Sequence, residues 1–155
     1  MTLPEGRREL NPCLFGNHPH GYDTRSQNHC SRGESRYHNG WMKVHSELGP
    51  GLLESTYTAC LQYELIDAGV QSSAQVGLPV VYRGVRLDLG YRMDLVVENT
   101  VVVEIKSVDA ISPVHQAQIL SYLKLSGKSI GLLINFNVVH LKDGIKRFVN
   151  GTGWK

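Results

Sequence analysis

The hydrophobic pattern divides the chain into two parts of different character. The first 40 residues are polar and rich in glycine, proline and histidine, and no valine or isoleucine occurs before Val44. Such a stretch buries too little apolar surface to offset the entropy lost on ordering it. We therefore predict a poorly ordered N-terminal extension over residues 1–41, one folded domain over residues 42–150, and a C-terminal tail over residues 151–155.

Two segments of the folded part have the periodicity of amphipathic helices. The first is predicted over residues 52–68, because apolar side chains recur there in steps of three and four residues. The second is predicted over residues 112–126, since Ser112 and Pro113 are typical of a helix N-terminus and Gly127 is typical of a helix end.

Strands are sought in the β-rich runs of the chain: two short runs over residues 76–82 and 85–89 around a turn candidate at Arg83-Gly84, and further runs over residues 91–97, 101–106 and 130–136. The last run is almost continuously apolar, as expected for a strand that is buried on both faces. A short final element is predicted after it. The coarse order is helix, three strands, helix, strand. This order predicts an α/β fold with a mixed sheet of about four strands in the order αβββαβ, flanked by helices.

Charge, hydropathy and cysteine content narrow the class of protein. The net charge of +2 is small for a protein that binds nucleic acid by charge alone. The apolar runs are far shorter than the roughly 20 residues of a membrane-spanning helix, and the N-terminus lacks the apolar segment of a secretory signal. The three scattered cysteines indicate no disulfide framework, so we expect a cytoplasmic protein. The histidines and cysteines of residues 1–41 lack the paired spacing of a zinc site.

Three charged residues in the predicted sheet are the most informative part of the sequence. Strand side chains alternate between faces, so Glu104 and Lys106 share one face. A three-residue loop over residues 98–100 would place Asp94 directly opposite Glu104, with Cβ atoms about 5 Å apart. A two-residue loop would shift the register by one residue and turn Asp94 to the other face.

Two ionised carboxylates at this separation repel one another by roughly 3 kcal/mol at an effective dielectric near 20. A divalent cation would compensate, and Mg²⁺ is typically held by one or two carboxylates together with substrate phosphates. Beside it, Lys106 could orient a water nucleophile or neutralise charge that develops on a phosphate. The alternative is an ordinary Glu–Lys pair on a solvent-facing strand. Three valines before Glu104 argue for burial, but the residues alone leave both interpretations open.

The positions of these residues resemble a known pattern. Asp94, followed by Glu104-Ile105-Lys106 within the order αβββαβ, resembles the PD-(D/E)XK nuclease superfamily, which implies a restriction-endonuclease-like core. Residues 51–57, GLLESTY, are similar to the G-x-x-E-x-x-Y signature of one family of this superfamily. Residues 118–122, QILSY, are similar to the Q-x-x-x-Y element of its RecB-like exonuclease branch. The resemblance covers about residues 44–149.

The resemblance implies three ligands for a Mg²⁺ or Mn²⁺ ion, which are Asp94, Glu104 and the backbone carbonyl of Ile105. It also implies four catalytic residues, which are Lys106 as the catalytic lysine together with Glu54, Gln118 and Tyr122. Gln118 and Tyr122 are four residues apart and share one helix face. Val114 and Leu125 lie on or near that face, which predicts that it points toward the sheet.

The activity implied by the resemblance is that of a Mg²⁺- or Mn²⁺-dependent phosphodiesterase acting on nucleic acid, with DNA as the expected partner. One alternative is a non-catalytic module on the same fold that binds nucleic acid or protein. Another is a metal-dependent hydrolase of a smaller phosphoester. In the family, a full amphipathic helix precedes the segment that this chain matches from residue 44 onward. In this chain, only residues 40–43 are assigned to that helix. One hypothesis is that the natural chain starts at Met42 or in another reading frame.

Overall fold

The computed structural model describes residues 32–151, so most of the predicted extension and the tail from residue 152 lie outside the described residues. The helices are α1 (Arg32–Leu48), α2 (Glu54–Asp67) and α3 (Pro113–Ser126). The strands are β1 (Ser72–Gly77), β2 (Val80–Tyr82), β3 (Val85–Leu87), β4 (Arg92–Val97), β5 (Val101–Lys106), β6 (Ile130–Asn135) and β7 (Ile145–Val149). A 3₁₀ turn at Leu141–Gly144 precedes β7. None of the helices in this part of the chain has the length and apolar character needed to cross a bilayer.

The main sheet has five strands in the spatial order β1-β4-β5-β6-β7. Strands β5 and β6 are parallel, and every other neighbouring pair is antiparallel. The mixed α/β sheet with flanking helices is confirmed, but the predicted count of about four strands and the order αβββαβ were wrong. Strand β1 begins at Ser72 and lies at one edge, β7 forms the other edge, and β2 and β3 make a separate two-stranded sheet.

Two hydrophobic clusters cover the two faces of the main sheet. On one face, Val103 and Ile105 of β5 pack in a cluster with Leu61 of α2 and residues of α1. On the other face, Val102 packs in a second cluster with Ile119 and other residues of α3. Strand β5 is therefore buried on both faces, which explains its apolar sequence. Each fully buried aliphatic side chain contributes roughly 1.5–3 kcal/mol.

Helix α1 departs from the predicted domain boundary. It begins at Arg32, and the side chains of Tyr37 and Trp41 are 5% and 4% exposed within the core. Their spacing of four residues places both on one face of the helix. The Tyr37 hydroxyl donates a hydrogen bond to Glu98 Oε2 at 3.1 Å. Residues 32–41 therefore belong to the folded domain, and the expectation that they form part of a poorly ordered extension was wrong.

Helix α3 has the predicted N-terminus and turns Tyr122 toward the sheet as predicted, but two apolar residues assigned to the inward face are exposed. Ser112 and His115 exchange hydrogen bonds, because the Ser112 N–H donates to His115 Nδ1 at 3.1 Å and the His115 N–H donates to Ser112 Oγ at 3.4 Å. Val114 and Leu125, predicted to mark the inward face, are 74% and 40% exposed. Ile119 is buried against the sheet instead. Apolar residues occur around the whole helix, so their spacing alone does not select a face.

Candidate active site

The β4–β5 hairpin has the predicted register. Its turn passes through Glu98 and Asn99, whose φ angles of 48° and 56° are left-handed. Val97 pairs with Val101, so three residues connect the strands. This register turns the two acids of the hairpin to the same face of the sheet, at directly opposed positions.

Asp94 and Glu104 face one another where the backbone pairing of the two strands stops. The last paired residues are Leu95 and Val103. Beyond them, the Ile105 N–H donates to Asp94 Oδ2 at 2.9 Å, and the Asp94 N–H donates to Glu104 Oε1 at 3.4 Å. Each carboxylate therefore accepts a backbone hydrogen bond that a carbonyl of the neighbouring strand would otherwise accept. These bonds fix both side chains between the strands.

Burial makes ionisation of this pair unfavourable. The Glu104 side chain is 3% exposed, and burial, reinforced by the negative charge of Asp94, raises the pKa of Glu104 to about 8. Burial also raises the pKa of Asp94, although the Ile105 N–H and the Lys106 ammonium oppose this effect. Lys106 Nζ lies 3.8 Å from Glu104 Oε2, beyond hydrogen-bond distance. One lysine at this distance does not neutralise the charge of the two carboxylates.

The donor atoms at this place fit a hard divalent cation. Carboxylate oxygens are the ligands that Mg²⁺ and Mn²⁺ prefer, and a cation would supply the missing positive charge. The Ile105 N–H points to Asp94, and the N–H and C=O groups of one strand residue face the same neighbouring strand, so the Ile105 carbonyl is also directed to this side. Within residues 32–151, no three His, Cys, Asp or Glu side chains form a group that could hold an ion. The backbone carbonyl, water or a substrate phosphate would therefore complete the coordination.

Glu54 brings a third carboxylate to the same end of β5. Helix α2 begins at Glu54 rather than at the predicted residue 52. Its Oε1 accepts a hydrogen bond from the Ser107 N–H at 3.1 Å, and its charge adds to the effect of burial in raising the pKa of Asp94. The Ser107 hydroxyl donates to the Leu52 carbonyl at 2.6 Å. The segment that leads into α2 is thus fastened to the end of β5.

Gly51 and Tyr57, three residues before and after Glu54, shape the turn that presents it. Gly51 has a φ of 100°, a backbone conformation that residues with a side chain rarely adopt. Tyr57 is fully buried, and its hydroxyl donates to the Gly49 carbonyl at 2.6 Å. Its ring stacks on Phe136 with centroids 4.4 Å apart. The three fixed residues of G-x-x-E-x-x-Y therefore have distinct structural roles. Gly51 forms the turn, Glu54 supplies the carboxylate, and Tyr57 holds the turn in place.

Gln118 and Tyr122 lie on the face of α3 that covers the side of the sheet bearing the two acids. Tyr122 is 7% exposed and packs in one cluster with Val96 and Val102, which point to that side. Gln118 Nε2 donates to the Tyr122 hydroxyl at 3.0 Å. In the described part of the chain, neither side chain is hydrogen-bonded to the carboxylates or to Lys106. The structure brings this pair to the correct face of the sheet and leaves its role in the site as a prediction.

Asn135, which our sequence analysis did not single out, fixes the loop that follows Lys106. It is 2% exposed and lies beside Lys106 in the parallel β5–β6 register. Its side-chain amide donates to the Val108 carbonyl at 2.8 Å, and its Oδ1 accepts from the Val108 N–H at 3.1 Å. Nothing in the sequence distinguishes this residue from an ordinary asparagine at the end of a strand, because its partners come from a distant segment.

Gln75 on β1 is a second residue of the site that our sequence analysis missed. Its neighbours on both sides pair with β4, which places Gln75 directly opposite Asp94. Burial raises the pKa of Asp94, and the Gln75 side chain opposes this effect. Its φ is 52°, a left-handed conformation that costs roughly 1–2 kcal/mol in a residue other than glycine. Strain of this kind collects at functional sites, so Gln75 joins the candidate site on geometric grounds.

The conformation of Gln75 predicts an unusual order of stability for two substitutions. Glycine normally weakens the interior of a strand. At position 75, however, Gln75→Gly relieves the left-handed backbone that Gln75→Ala retains. We expect the glycine variant to be more stable than the alanine variant by about 1 kcal/mol. Urea unfolding of the two proteins measures the difference. The same pair of substitutions at Ser73, on the same strand, should show the usual order, and an alanine variant that is the more stable at position 75 contradicts the observed backbone.

Comparison with known proteins agrees with this geometry. Neither the curated proteins nor the solved structures include a significant match to the chain. The family model of the PD-(D/E)XK nuclease superfamily matches residues 34–148, which hold every residue of the candidate site. Members of this superfamily generally hydrolyse phosphodiester bonds and typically use divalent metals such as Mg²⁺. The match spans most of the chain, and the protein belongs to the PD-(D/E)XK nuclease superfamily.

Proposed function

We propose that the protein is a metal-dependent nuclease that hydrolyses phosphodiester bonds of nucleic acid, with DNA as its substrate. The observation that carries the proposal is the buried, undercompensated pair formed by Asp94 and Glu104. A protein that used these residues only for its fold would be more stable with neutral side chains at both positions. The pair therefore favours the binding of a cation. Members of the superfamily typically use such a divalent metal to hydrolyse phosphodiester bonds.

Asp94, Glu104 and the Ile105 carbonyl would hold Mg²⁺ or Mn²⁺. When bound, the ion supplies charge that polarises the scissile phosphate and lowers the pKa of a bound water. Lys106, beside Glu104, would orient the attacking water and offset the charge that develops on the phosphate oxygens. Glu54 is held at the end of β5 by Ser107, where it would complete the acidic site directly or through a water.

We further propose that the chain is of the G-x-x-E-x-x-Y family and of the RecB-like branch. Support for the first assignment comes from the turn at Gly51, the carboxylate of Glu54 and the anchor at Tyr57. Support for the second is the hydrogen bond between Gln118 and Tyr122 on the helix that covers the acidic face. In this arrangement Gln118 and Tyr122 would line the path by which a substrate strand reaches the carboxylates.

The purified protein is expected to cleave nucleic acid in Mg²⁺ or Mn²⁺ and not in EDTA. Labelled single- and double-stranded DNA and RNA test the substrate class directly. Lys106→Met is expected to lower the rate by about 10²–10³-fold, because it removes an oriented charge from the transition state. The same change at Lys146, an exposed residue of the edge strand β7, is the matched control and should leave the rate unaltered. Equal rates for wild type and Lys106→Met would reject the assignment.

A further inference from the structure

The β2–β3 hairpin stands apart from the main sheet as a two-stranded ribbon, which we define as residues 80–87. It shares no strand pairing with the main sheet, and the turn at Arg83 and Gly84 closes it. Its residues 81–86 are all exposed. An isolated pair of strands is only marginally stable in water. Contact with a bound molecule would therefore stabilise a ribbon of this kind.

One face of the ribbon is apolar and open. The cross-strand pairs Val80–Leu87 and Tyr82–Val85 place four apolar side chains on this face. The inner pair is half-buried, whereas Tyr82 and Val85 at the outer end are 64% and 58% exposed. The following segment continues the exposed apolar surface, since Leu89 is 60% exposed. Large apolar side chains that cluster on a surface mark a binding site.

The surroundings of the ribbon carry positive charge. Arg83 is at its tip, Arg86 is on its second face, and Arg92 follows it at the start of β4. Asp88 is the one acid between residues 78 and 92, so this segment has a net charge of +2, as large as that of the whole chain. Positive charge at this density attracts a polyanion.

The ribbon also leaves the sheet next to the acidic pair. At its base the Leu78 N–H donates to the Tyr91 carbonyl at 2.8 Å, and Gly77 pairs with Arg92. Asp94 is three residues beyond Tyr91 on β4, a distance of about 10 Å along a strand. A chain bound on the ribbon would therefore lie beside the site of hydrolysis.

We propose that the ribbon is a stacking platform for the bases of single-stranded nucleic acid, which Arg83 at the tip and Arg92 at the base hold by its phosphates. This inference rests on the proposed function and names the form of its substrate. Tyrosine and flat aliphatic surfaces bind the faces of unpaired bases, and positive side chains follow the backbone. In a duplex the base faces are covered by one another, so an open apolar face has much less to bind there. A wholly protein partner would leave the excess of arginine unused.

Binding of fluorescein-labelled dT₂₀, followed by anisotropy in EDTA so that no cleavage occurs, tests the inference. Tyr82→Ala is expected to weaken binding about tenfold, and Tyr82→Trp is expected to restore it. Tyr63→Ala is the matched control, because Tyr63 is 68% exposed on α2 and is not part of the ribbon. Arg83→Gln, at the tip of the ribbon, should lower the slope of log K against log salt by about 0.7. Equal melting temperatures of the variants show that the fold is retained.

Three results would overturn the inference. The first is dT₂₀ binding that Tyr82→Ala leaves unchanged. The second is a duplex of the same length that binds more tightly than dT₂₀ and depends equally on Tyr82. The third is a wild-type dimer, seen by light scattering, that Tyr82→Ala dissociates while dT₂₀ binding stays the same. Failure of the proposed nuclease activity gives a different result, since Tyr82-dependent binding would then persist without cleavage in Mn²⁺.

Discussion

Glu104→Gln is expected to slow cleavage strongly and, at the same time, to make the metal-free protein more stable at pH 8. Loss of one charged ligand from the transition-state environment should lower the rate by about 10³-fold. The stability change has the opposite sign because burial and Asp94 raise the pKa of Glu104 from its ordinary 4.5 to about 8. A neutral side chain is the form that this position favours, and glutamine supplies it at every pH.

The pH window follows from the direction of this shift. Below pH 4.5 the Glu104 carboxyl is protonated in both the folded and the unfolded protein, so its burial does not lower the free energy of unfolding. Between pH 4.5 and about 8 the unfolded chain releases the proton first, and the free energy of unfolding of the metal-free wild type falls. The loss is on the order of 4 kcal/mol when complete. Glu104→Gln should flatten this part of the curve.

Urea unfolding in EDTA at pH 5, 6.5 and 8 measures the effect. Glu47→Gln is the matched control, because the same chemical change at an exposed residue of α1 should alter stability by less than about 0.5 kcal/mol at each pH. Addition of Mg²⁺ should stabilise the wild type more than Glu104→Gln, since only the wild type offers both carboxylates. A wild-type stability that rises from pH 5 to pH 8 would contradict the buried acid pair.

A chain that begins at Met42 is expected to lose most of its stability, whereas one that begins at residue 32 retains α1. The shorter chain lacks Tyr37 and Trp41, which are buried in the core. Loss of a buried aromatic side chain costs about 3–5 kcal/mol, which for two residues approaches the 5–15 kcal/mol that stabilises a typical domain. The shorter chain also lacks the hydrogen bond from Tyr37 to Glu98, at the turn that sets the register of β4 and β5.

Thermal unfolding of the two truncated chains, followed by circular dichroism, tests this expectation. Because they differ only in residues 32–41, the comparison isolates this part of α1. We expect the melting temperature of the shorter chain to be lower by about 15 °C or more, or its cooperative transition to be absent. Trp41→Ala in the longer chain should give part of the same decrease. Equal melting temperatures would show that residues 32–41 contribute nothing to the core and would favour Met42 as the functional start.

The sequence predicted those parts of the site that depend on local geometry. The register of the β4–β5 hairpin followed from the length of its loop and the alternation of strand side chains, so the opposition of Asp94 and Glu104 could be counted from residue numbers. The burial of β5 and β6 followed from their continuous apolar runs. In both cases neighbours along the chain determine the result.

The sequence did not predict features that depend on distant contacts. Helix α1 was missed because the polar composition of the first 40 residues, which lack valine and isoleucine, predicts no core, yet Tyr37 and Trp41 are buried in a helix that packs against α2. The hydrogen bonds of Asn135 leave no mark in the sequence, since their partner Val108 lies in a distant loop, and the left-handed backbone of Gln75 leaves none either. Val114 and Leu125 were wrongly assigned to the inward face of α3, because packing on the sheet, and not spacing, decides which apolar residues of the helix are buried.

The opening between β4 and β5 also bears on how the sheet could change during evolution. Ordinary sheet-forming residues at positions 94 and 104 would extend the backbone pairing beyond Leu95 and Val103 and would remove two acids from the interior. Neutral drift would therefore tend to close the gap in a lineage that had ceased to use it, because the closed sheet is the more stable form. In this chain both acids are present and the pairing stays open beyond Leu95 and Val103, so the sheet forgoes the stability that closing the gap would add.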